Sequence, residues 1–278
     1  MKISEAGDRK VLVIKDVEYP FRWCPAGTFL MGCPPQEQNQ IVEKFIDEFP
    51  DAEVRKSHTK IMEGEVRHKV TLSKGFWMLE TAVTQDMWES VTGNSPSQFK
   101  GNKLPVETLS WEDCQRYIEK LNALNVAPKG YQFSLPTESQ WEYACRAGTA
   151  TPFHFGSILN GDKANCNGED FPFGTSTKGT YLKKAVNVGS YPANAWGLYD
   201  MHGNVWEWCS DWHEDYPNGS ITDPAGATSG TFRVCRGGSW DDDPRHCRSA
   251  GRGYAPPSAQ SNNLGLRLAL VRRISTEQ

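Results

Sequence analysis

The residues best suited to chemistry lie close together near the C-terminal end of the sequence. Three successive aspartates at 241–243 precede His246 and Cys247, and glycines, arginines and Trp240 flank them. Carboxylates, an imidazole and a thiol can bind metals or act as acids, bases and nucleophiles. A buried strand seldom carries three aspartates, and a solvated loop seldom combines Trp, Cys and several Arg. The mixture predicts irregular backbone, fixed at framework positions, that presents polar side chains on a surface.

Length and composition indicate a globular, loop-rich protein. The 278 residues are 38% hydrophobic and 23% charged, and ten of them are tryptophan. We expect a single domain over residues 11–273. The net charge is −4 and no basic block occurs, so nucleic acid is not expected as a partner. No membrane span or export signal is recognised, and localisation (cytoplasm, cell surface or secreted) stays open.

The cysteines do not follow the spacing of a metal site. There are eight, and none forms a Cys-x-x-Cys pair, so a structural zinc ion is not expected. We expect most of them to be free, buried thiols. Cys247 is interpreted in the same way, because no adjacent residue other than His246 could act as its general base.

The elements that would position these residues begin with β-prone runs. Residues 11–33 alternate around Pro25 and Gly27, which predicts a hairpin. Residues 35–68 are polar and predict an excursion from the core with one short helix. Residues 69–78 predict one strand. Residues 149–190 are rich in Gly, Asn, Thr and Lys and predict a long ordered loop.

Three helices are predicted from their first residues. Thr84, Ser110 and Thr137 are each suited to the N-cap position, and Ser110 forms a capping-box pattern with Asp113. In the second helix, apolar residues at helical spacing should face the core: these are Cys114, Tyr117, Ile118, Leu121 and Leu124. In the third, Trp141 should point inward and Gly148 should end the helix.

Four stretches together resemble the formylglycine-generating enzyme (sulfatase-modifying factor) family. They are Arg-Gly-Gly-Ser-Trp at 236–240, Cys-Arg-Ser-Ala-x-Arg at 247–252, Asn-Asn-Leu-Gly-Leu-Arg at 262–267, and Gly-Leu-Tyr-Asp-Met-His-Gly-Asn-Val-Trp-Glu-Trp at 197–208. The resemblance runs in order over about residues 20–272. It implies an α+β protein with a C-type-lectin-like fold.

The resemblance also implies a structural calcium ion. The positions that would bind it are Asp200, Gly203, Val205 and Glu207, two through side chains and two through backbone carbonyls. Such hard oxygen ligands suit calcium. The alternative is that the carboxylates are buried and satisfied by backbone N–H groups.

The enzymes of this family use two cysteines, five positions apart, that can bind Cu(I). If the two positions are counted forward from Gly238, they hold Asp242 and Cys247, so one cysteine is missing. If they are counted back from Arg248 and Arg252, Cys247 does not match either. Either way the dithiolate is absent, so we expect no copper and no oxidase chemistry. The iron-dependent branch of the superfamily, with its histidine triad, is not indicated, because no His-x-x-x-His occurs.

The same stretch resembles the variable proteins of diversity-generating retroelements, which diversify exposed positions on this scaffold. The residues at the ten corresponding positions are all of types that can be reached from an asparagine codon by changing its first two bases, which is a permissive criterion. The positions are Asp241, Asp242, Asp243, His246, Gly251, Gly253, Tyr254, Ala255, Ser258 and Ser261, with Trp206 and Trp240 as flanking apolar anchors.

We therefore predict a non-enzymatic protein that binds a macromolecular ligand, a protein, through an exposed variable surface. Three alternatives stay open. The chain is an oxidase that converts a sulfatase cysteine to formylglycine, a degenerate non-catalytic family member, or an ordinary member without diversification.

Overall fold

The computed structural model describes residues 4–48 and 64–273. Within them lie four α-helices: α1 (Pro35–Glu48), α2 (Gln85–Thr92), α3 (Trp111–Ala123) and α4 (Glu138–Arg146). The same residues form twelve strands: β1 (Arg9–Ile14), β2 (Val17–Cys24), β3 (Gly27–Met31), β4 (His68–Leu72), β5 (Phe76–Leu79), β6 (Tyr131–Ser134), β7 (Trp206–Trp212), β8 (Ile221–Thr222), β9 (Arg233–Arg236), β10 (Arg252–Ala255), β11 (Leu264–Leu266) and β12 (Ala269–Arg272). The predicted α+β class is confirmed.

The strands form three sheets whose neighbours are mostly distant in sequence. The five-stranded sheet has the order β1-β2-β5-β12-β6, the four-stranded sheet β10-β9-β7-β11 and the three-stranded sheet β3-β4-β8. The last strand, β12, pairs antiparallel with both β5 and β6. The C-terminal end of the described chain therefore lies within the first sheet, between strands that precede it by many residues.

The predicted hairpin around Pro25 and Gly27 is wrong. β2 pairs with β1 and β5, whereas β3 pairs with β4 in another sheet, so residues 25–27 connect two sheets. The first hairpin instead joins β1 to β2 through Lys15 and Asp16, both with positive φ (47° and 66°). This is the conformation that the two central residues of a type I′ turn require.

The predicted strand over residues 69–78 is two strands, β4 and β5, in different sheets. Residues 73–75 connect the two strands and belong to neither. A Cβ on Gly75 would lie 2.3 Å from the Trp23 ring, so a side chain here would clash. The polar stretch that precedes β4 does contain a helix, α1. Residues 49–63 of this stretch lie outside the described chain.

The predicted helix caps are confirmed. Thr84 and Ser110 accept hydrogen bonds from the backbone of the first turn, and Ser110 forms the full capping box with Asp113. Leu124 was expected in the core but is 40% exposed, because α3 ends one residue earlier. The last residue of helix α4 is Arg146. Its C-cap is Ala147, in the left-handed conformation (φ 44°), one residue before the predicted Gly148.

The core is rich in aromatic rings and thiols. Trp141 and Trp208 are fully buried, and all eight cysteines are buried and free. Truncating a buried aromatic ring of this kind costs about 3–5 kcal/mol. Residues 147–205 have no helix or named strand but bury Phe153 and Leu159 completely, so the predicted ordered loop is confirmed. None of the described helices is long and apolar enough to cross a membrane.

Candidate ligand-binding site

Two glycines start the segment in which the sequence analysis placed the ligand site. The chain leaves β9 at Arg236 and turns through Gly237 and Gly238, whose φ angles are 99° and 69°. A Cβ on Gly238 would lie 2.5 Å from Sγ of Cys247. Both the left-handed backbone and this close approach require glycine, which sets the path of residues 239–251.

Buried arginines fix this segment from its interior side. Arg248 is fully buried and donates to Glu37 at 2.9 Å. It also donates to both carboxylate oxygens of Glu65, at 3.0 and 2.9 Å. Arg252 donates from Nε and Nη2 to Glu138 at 2.7 and 2.9 Å. Bidentate pairs of this kind orient both partners.

Arg236 completes the interior side. It forms an ion pair with Glu142 and donates to the backbone carbonyl of Gly251. It also lies 3.3 Å from a carboxylate oxygen of Glu138, which Arg252 shares. The start and the end of the segment are thereby tied to the same helix, α4.

Asp242 belongs to the framework rather than to the exposed surface. Trp206 donates from Nε1 to its carboxylate at 2.8 Å, and Ser239 donates to the same oxygen. Its backbone carbonyl accepts from the N–H of Asn167, which ties the segment to the long loop. Burial raises the pKa of Asp242. The side chain of Asp242 is therefore partly buried, and its carboxylate is held by Trp206 and Ser239.

The two neighbouring aspartates differ from it. Asp241 is exposed and accepts a hydrogen bond from the phenol of Tyr181, which raises the pKa of Tyr181 to about 12. Asp243 is partly buried and accepts from Nε of Arg245 at 2.6 Å. Tyr181 was not predicted, since nothing in the polar sequence around it marks a binding position.

His246 and Trp206 lie on one face of the segment. Both are partly exposed, and their rings are 6.4 Å apart. Gly253 is beside them, and a Cβ there would lie 2.8 Å from the Trp206 ring and 2.9 Å from Sγ of Cys235. A side chain at 253 would displace the ring, so this position is restricted, contrary to a freely variable surface site.

Gly251 and Trp240 are both buried. Gly251 was expected at an exposed variable position, and that expectation is wrong, whereas Trp240 was expected as a flanking apolar anchor. A Cβ on Gly251 would lie 2.5 Å from the carbonyl oxygen of His246. Trp240 is 8% exposed, packs edge-on against Phe99 and donates to the carbonyl of Asn262 at 3.3 Å. Trp240 therefore supports the segment from beneath.

Tyr254 lies on the other face of β10. Side chains alternate along a strand, so Gly253 contacts Trp206 whereas Tyr254 contacts His213 and Phe232, with ring centroids 4.2 and 5.4 Å away. Tyr254 is 46% exposed and Phe232 37%. The single predicted patch is thus divided into two faces, and His213 and Phe232 join it without having been predicted.

The remaining predicted positions continue from Tyr254 towards β11. Ser258 is exposed, while Ala255 and Ser261 are partly buried. The carbonyl of Ser261 accepts hydrogen bonds from the N–H groups of Thr108 and Leu264. Of this group, Ser258 is the position with an exposed side chain.

The predicted cation site has one carboxylate that is already used. Glu207 accepts from Arg267 at 2.8 and 2.9 Å and from Nε1 of Trp141 at 2.7 Å. Both of its oxygens accept hydrogen bonds, so a calcium ion at Glu207 would share the carboxylate with Arg267 and Trp141. Its partners are an arginine and an indole, not the backbone N–H groups of the alternative interpretation.

Asp200 is different. Its Oδ2 accepts from the N–H of Gly189 at 2.6 Å, whereas its Oδ1 is buried without a hydrogen-bond partner. Burial raises the pKa of Asp200 to about 6. The amide N–H of Gly203 donates to Gly237, and Val205 is buried. In the described chain no three His, Cys, Asp or Glu side chains are grouped as metal ligands. The calcium site stays a prediction.

The thiol of Cys247 is fully buried and lies within hydrogen-bonding reach of the Cys166 thiol. This hydrogen bond and burial raise the pKa of Cys247 well above its ordinary value. A thiol with a raised pKa forms little thiolate near neutral pH. Cys247 therefore has the environment of a framework residue.

The sequence matches a family model and several curated relatives. The model is described as "Sulfatase-modifying factor enzyme 1-like domain" and matches residues 21–272. The formylglycine-generating enzyme of Streptomyces coelicolor is 37% identical over 174 residues, which is 59% of this chain and 52% of that protein. The enzyme of Mus musculus is 31% identical over 210 residues, 73% of this chain and 53% of that protein. The chain spans about half the length of these relatives.

Solved structures agree with this assignment. Treponema denticola variable protein 1 superimposes with a TM-score of 0.73 at 26% identity, over 94% of this chain and 98% of that one. PvdO from Pseudomonas aeruginosa gives a TM-score of 0.71 at 25% identity, over 96% and 99%. The predicted C-type-lectin-like fold of the formylglycine-generating type is confirmed, and the chain belongs to the sulfatase-modifying factor (formylglycine-generating enzyme) family.

Proposed function

We propose that this protein is a non-enzymatic ligand-binding protein that presents a variable surface on the family scaffold, as the variable proteins of diversity-generating retroelements do. The observation that carries the proposal is Asp242. It stands where the resemblance places the first copper-binding cysteine, and Trp206 and Ser239 both donate to its carboxylate. A side chain held in this way supports the shape of the segment.

A carboxylate and a buried thiol make a poor site for Cu(I), which prefers soft sulfur ligands. Cys247 is fully buried and its pKa is raised, so a thiolate is scarce at neutral pH. The resemblance to variable protein 1 over nearly the whole chain supports the same interpretation.

The proposed ligand is a protein. The exposed or partly exposed side chains form two faces: Asp241, His246 and Trp206 on one, and Tyr254, Phe232 and Ser258 on the other. Tyrosine and tryptophan are enriched among residues that dominate protein interfaces, because they bury a large area with few rotatable bonds. The aspartate and histidine would set the polarity of the surface.

A second candidate is a copper-dependent oxidase of the formylglycine-generating type. The Cys166 thiol lies beside the Cys247 thiol, so a pair of sulfur ligands does exist near the expected place, though not at the family's spacing. Both side chains are at most 1% exposed, which leaves no evident route for a peptide substrate.

Two measurements test the proposal. Cu(I) titration and oxygen consumption are followed with a sulfatase-type peptide that contains cysteine. We expect no tight copper binding and no peptide turnover by the wild-type protein. Asp242→Cys is the matched variant, because it restores the sulfur atom at the family's position, and it should gain affinity for Cu(I). Turnover by the wild type would overturn the non-enzymatic interpretation, and its loss in Cys166→Ser would establish the second candidate.

A further inference from the structure

A cavity of about 190 Å³ lies between the first turn of α4, the end of β7 and residues 214–226. None of the residues in which the sequence analysis placed the ligand surface lines it. An engineered apolar cavity of about 150 Å³ accommodates benzene, which has six heavy atoms. This cavity therefore has room for a side chain or small ligand of about six heavy atoms.

One carboxylate in the cavity wall has an oxygen that the protein does not satisfy. Asp211 is 4% exposed. Its Oδ2 accepts from the N–H of Glu138 at 2.9 Å and from Oγ of Ser210 at 3.0 Å. Within residues 4–48 and 64–273, Oδ1 accepts no hydrogen bond. This oxygen has unused acceptor capacity, so it can accept a hydrogen bond from a donor bound in the cavity that Asp211 lines.

The available charge on the cavity wall is negative. Arg252 lines the cavity, but its guanidinium donates to both oxygens of Glu138, to the carbonyl of Gly64 and to that of Glu214. Its positive charge is thus already paired. The carboxylates of Glu214 and Asp215 also line the cavity, and both residues are exposed. Among the residues that the structure describes, an anion would meet three carboxylates without an arginine partner and no available cation, whereas a cation would be attracted.

The rest of the wall is apolar and suits an alkyl chain. Met31, Ile221, Pro217, Pro224 and Ala225 line it. A charged head on a flexible hydrocarbon stem buries the stem on such a surface while its head reaches polar partners. We propose that this cavity binds a primary alkylammonium group, either a lysine side chain of a partner or a free amine, with the ammonium on Oδ1 of Asp211. This site lies outside the surface of the proposed function and does not depend on it.

The protonation of Asp211 gives the proposal a distinctive pH dependence. Burial, followed by the charge of Glu138, raises the pKa of Asp211 to about 7. The other charged or titratable groups described around it are Arg252 of β10, Arg233 of β9, His68 of β4, Cys209 of β7, and Glu214, Asp215 and Tyr216 after β7. Only the ionised carboxylate attracts an ammonium group. Between pH 6 and pH 8 the ionised fraction, and with it the affinity, should rise about tenfold.

The test is a ligand-observed NMR titration of the full chain. The probes are n-butylammonium and Nα-acetyl-lysine methylamide, with the norleucine amide and butyrate as uncharged and anionic matches. We expect the two ammonium probes to bind, more tightly at pH 8 than at pH 6, and the matches not to bind. Binding of both ammonium probes shows that a free amine is sufficient for binding in the cavity. Binding of the lysine amide alone identifies a protein side chain as the source.

Variants separate this cavity from non-specific attraction to an acidic protein. Asp211→Asn keeps an acceptor for Glu138 and Ser210 but removes the charge, and should abolish binding and its pH dependence. Ala225→Trp fills the cavity from an exposed position and should also abolish binding. Asp162→Asn removes the same charge from an exposed residue outside the cavity lining and should leave binding unaltered. Equal binding of the norleucine amide, binding retained in Asp211→Asn, or no binding by either ammonium probe would overturn the proposal.

Discussion

The two sides of residues 236–255 are built differently. On the interior side, Arg236, Arg248 and Arg252 are buried, and each is bonded to at least one glutamate. On the outer side, Asp241 and Tyr254 are exposed and contact mainly neighbouring side chains. The backbone that carries both is irregular over most of its length.

This difference explains how irregular backbone can keep one shape. A buried guanidinium is tolerated only when its donors are satisfied, so each arginine–glutamate pair selects one backbone path. The outer side chains take no part in that selection. The scaffold can therefore change its outer residues while its interior residues stay fixed, and the predictions below test this separation.

The largest effect should come from an interior arginine. Arg248→Met removes the partner of two buried carboxylates, Glu37 and Glu65, and should destabilise the fold by about 3–5 kcal/mol. The control is Arg116→Met, which breaks an exposed pair with Asp113 and should cost less than about 1 kcal/mol. Chemical denaturation measures both. Equal losses would show that burial of the pair does not matter.

Glu207 tests whether the interior carboxylates serve arginine or a metal. Glu207→Gln leaves Arg267 buried without its counter-charge and should cost about 3 kcal/mol. Because both carboxylate oxygens already have protein donors, we expect the same loss in calcium and in chelator. Thermal unfolding under both conditions measures it. A markedly larger loss in calcium would instead identify Glu207 as a ligand of the ion, since only a folded-state ligand is linked to stability in this way.

Asp211 is an interior carboxyl without an arginine partner. Burial would also raise the pKa of Glu138, but Arg252 and Arg236 outweigh it and lower that pKa, whereas the pKa of Asp211 is raised to about 7. The folded state then binds more protons than the unfolded chain between about pH 4 and 7, so this group makes stability fall as pH rises. The stability of Asp211→Asn relative to wild type should therefore increase by about 3 kcal/mol from pH 5 to pH 8. Denaturation at both pH values checks this, and a gain that does not change with pH would contradict the raised pKa.

Local signals in the sequence were sufficient for the helices and insufficient for the sheets. Caps at Thr84, Ser110 and Thr137 act within one turn, and all three helices begin where predicted. Strand partners depend on contacts that are distant in sequence. Residues 69–78 have the composition of one strand, but β4 pairs with β3 and β8 whereas β5 pairs with β2 and β12, and these partners are distant in sequence.

The candidate site was predicted as a stretch of sequence and not as a surface. Cys247 was expected to be a buried thiol and is buried, and Arg245 and Arg248 beside it are buried as well. The alternation of β10, which places Gly253 and Tyr254 on opposite faces, follows once residues 252–255 are known to be a strand. The cavity at Asp211 brings together residues from Met31 to Arg252, so no local pattern could have indicated it.

The smallest effect on stability is expected on the outer side. Asp241→Ser, Tyr254→Ser and Ser258→Asn, combined in one variant, change exposed residues and should each shift stability by no more than about 0.5 kcal/mol. The matched control is Asp242→Ala, at the partly buried residue that follows Asp241. It leaves Nε1 of Trp206 without its acceptor and should cost about 1–3 kcal/mol. Thermal and chemical unfolding compare the two variants.

The triple variant also tests the ligand surface, because a few central side chains usually dominate an interface. It should lose binding to a protein selected against the wild-type surface, while Asp162→Asn, an exposed change outside that surface, keeps it. If the triple variant unfolds, the outer side chains are part of the framework and a diversified surface at these positions is refuted. If it folds and still binds, the ligand is held elsewhere on the molecule, and the separation of a structural interior from a binding exterior does not apply to this segment.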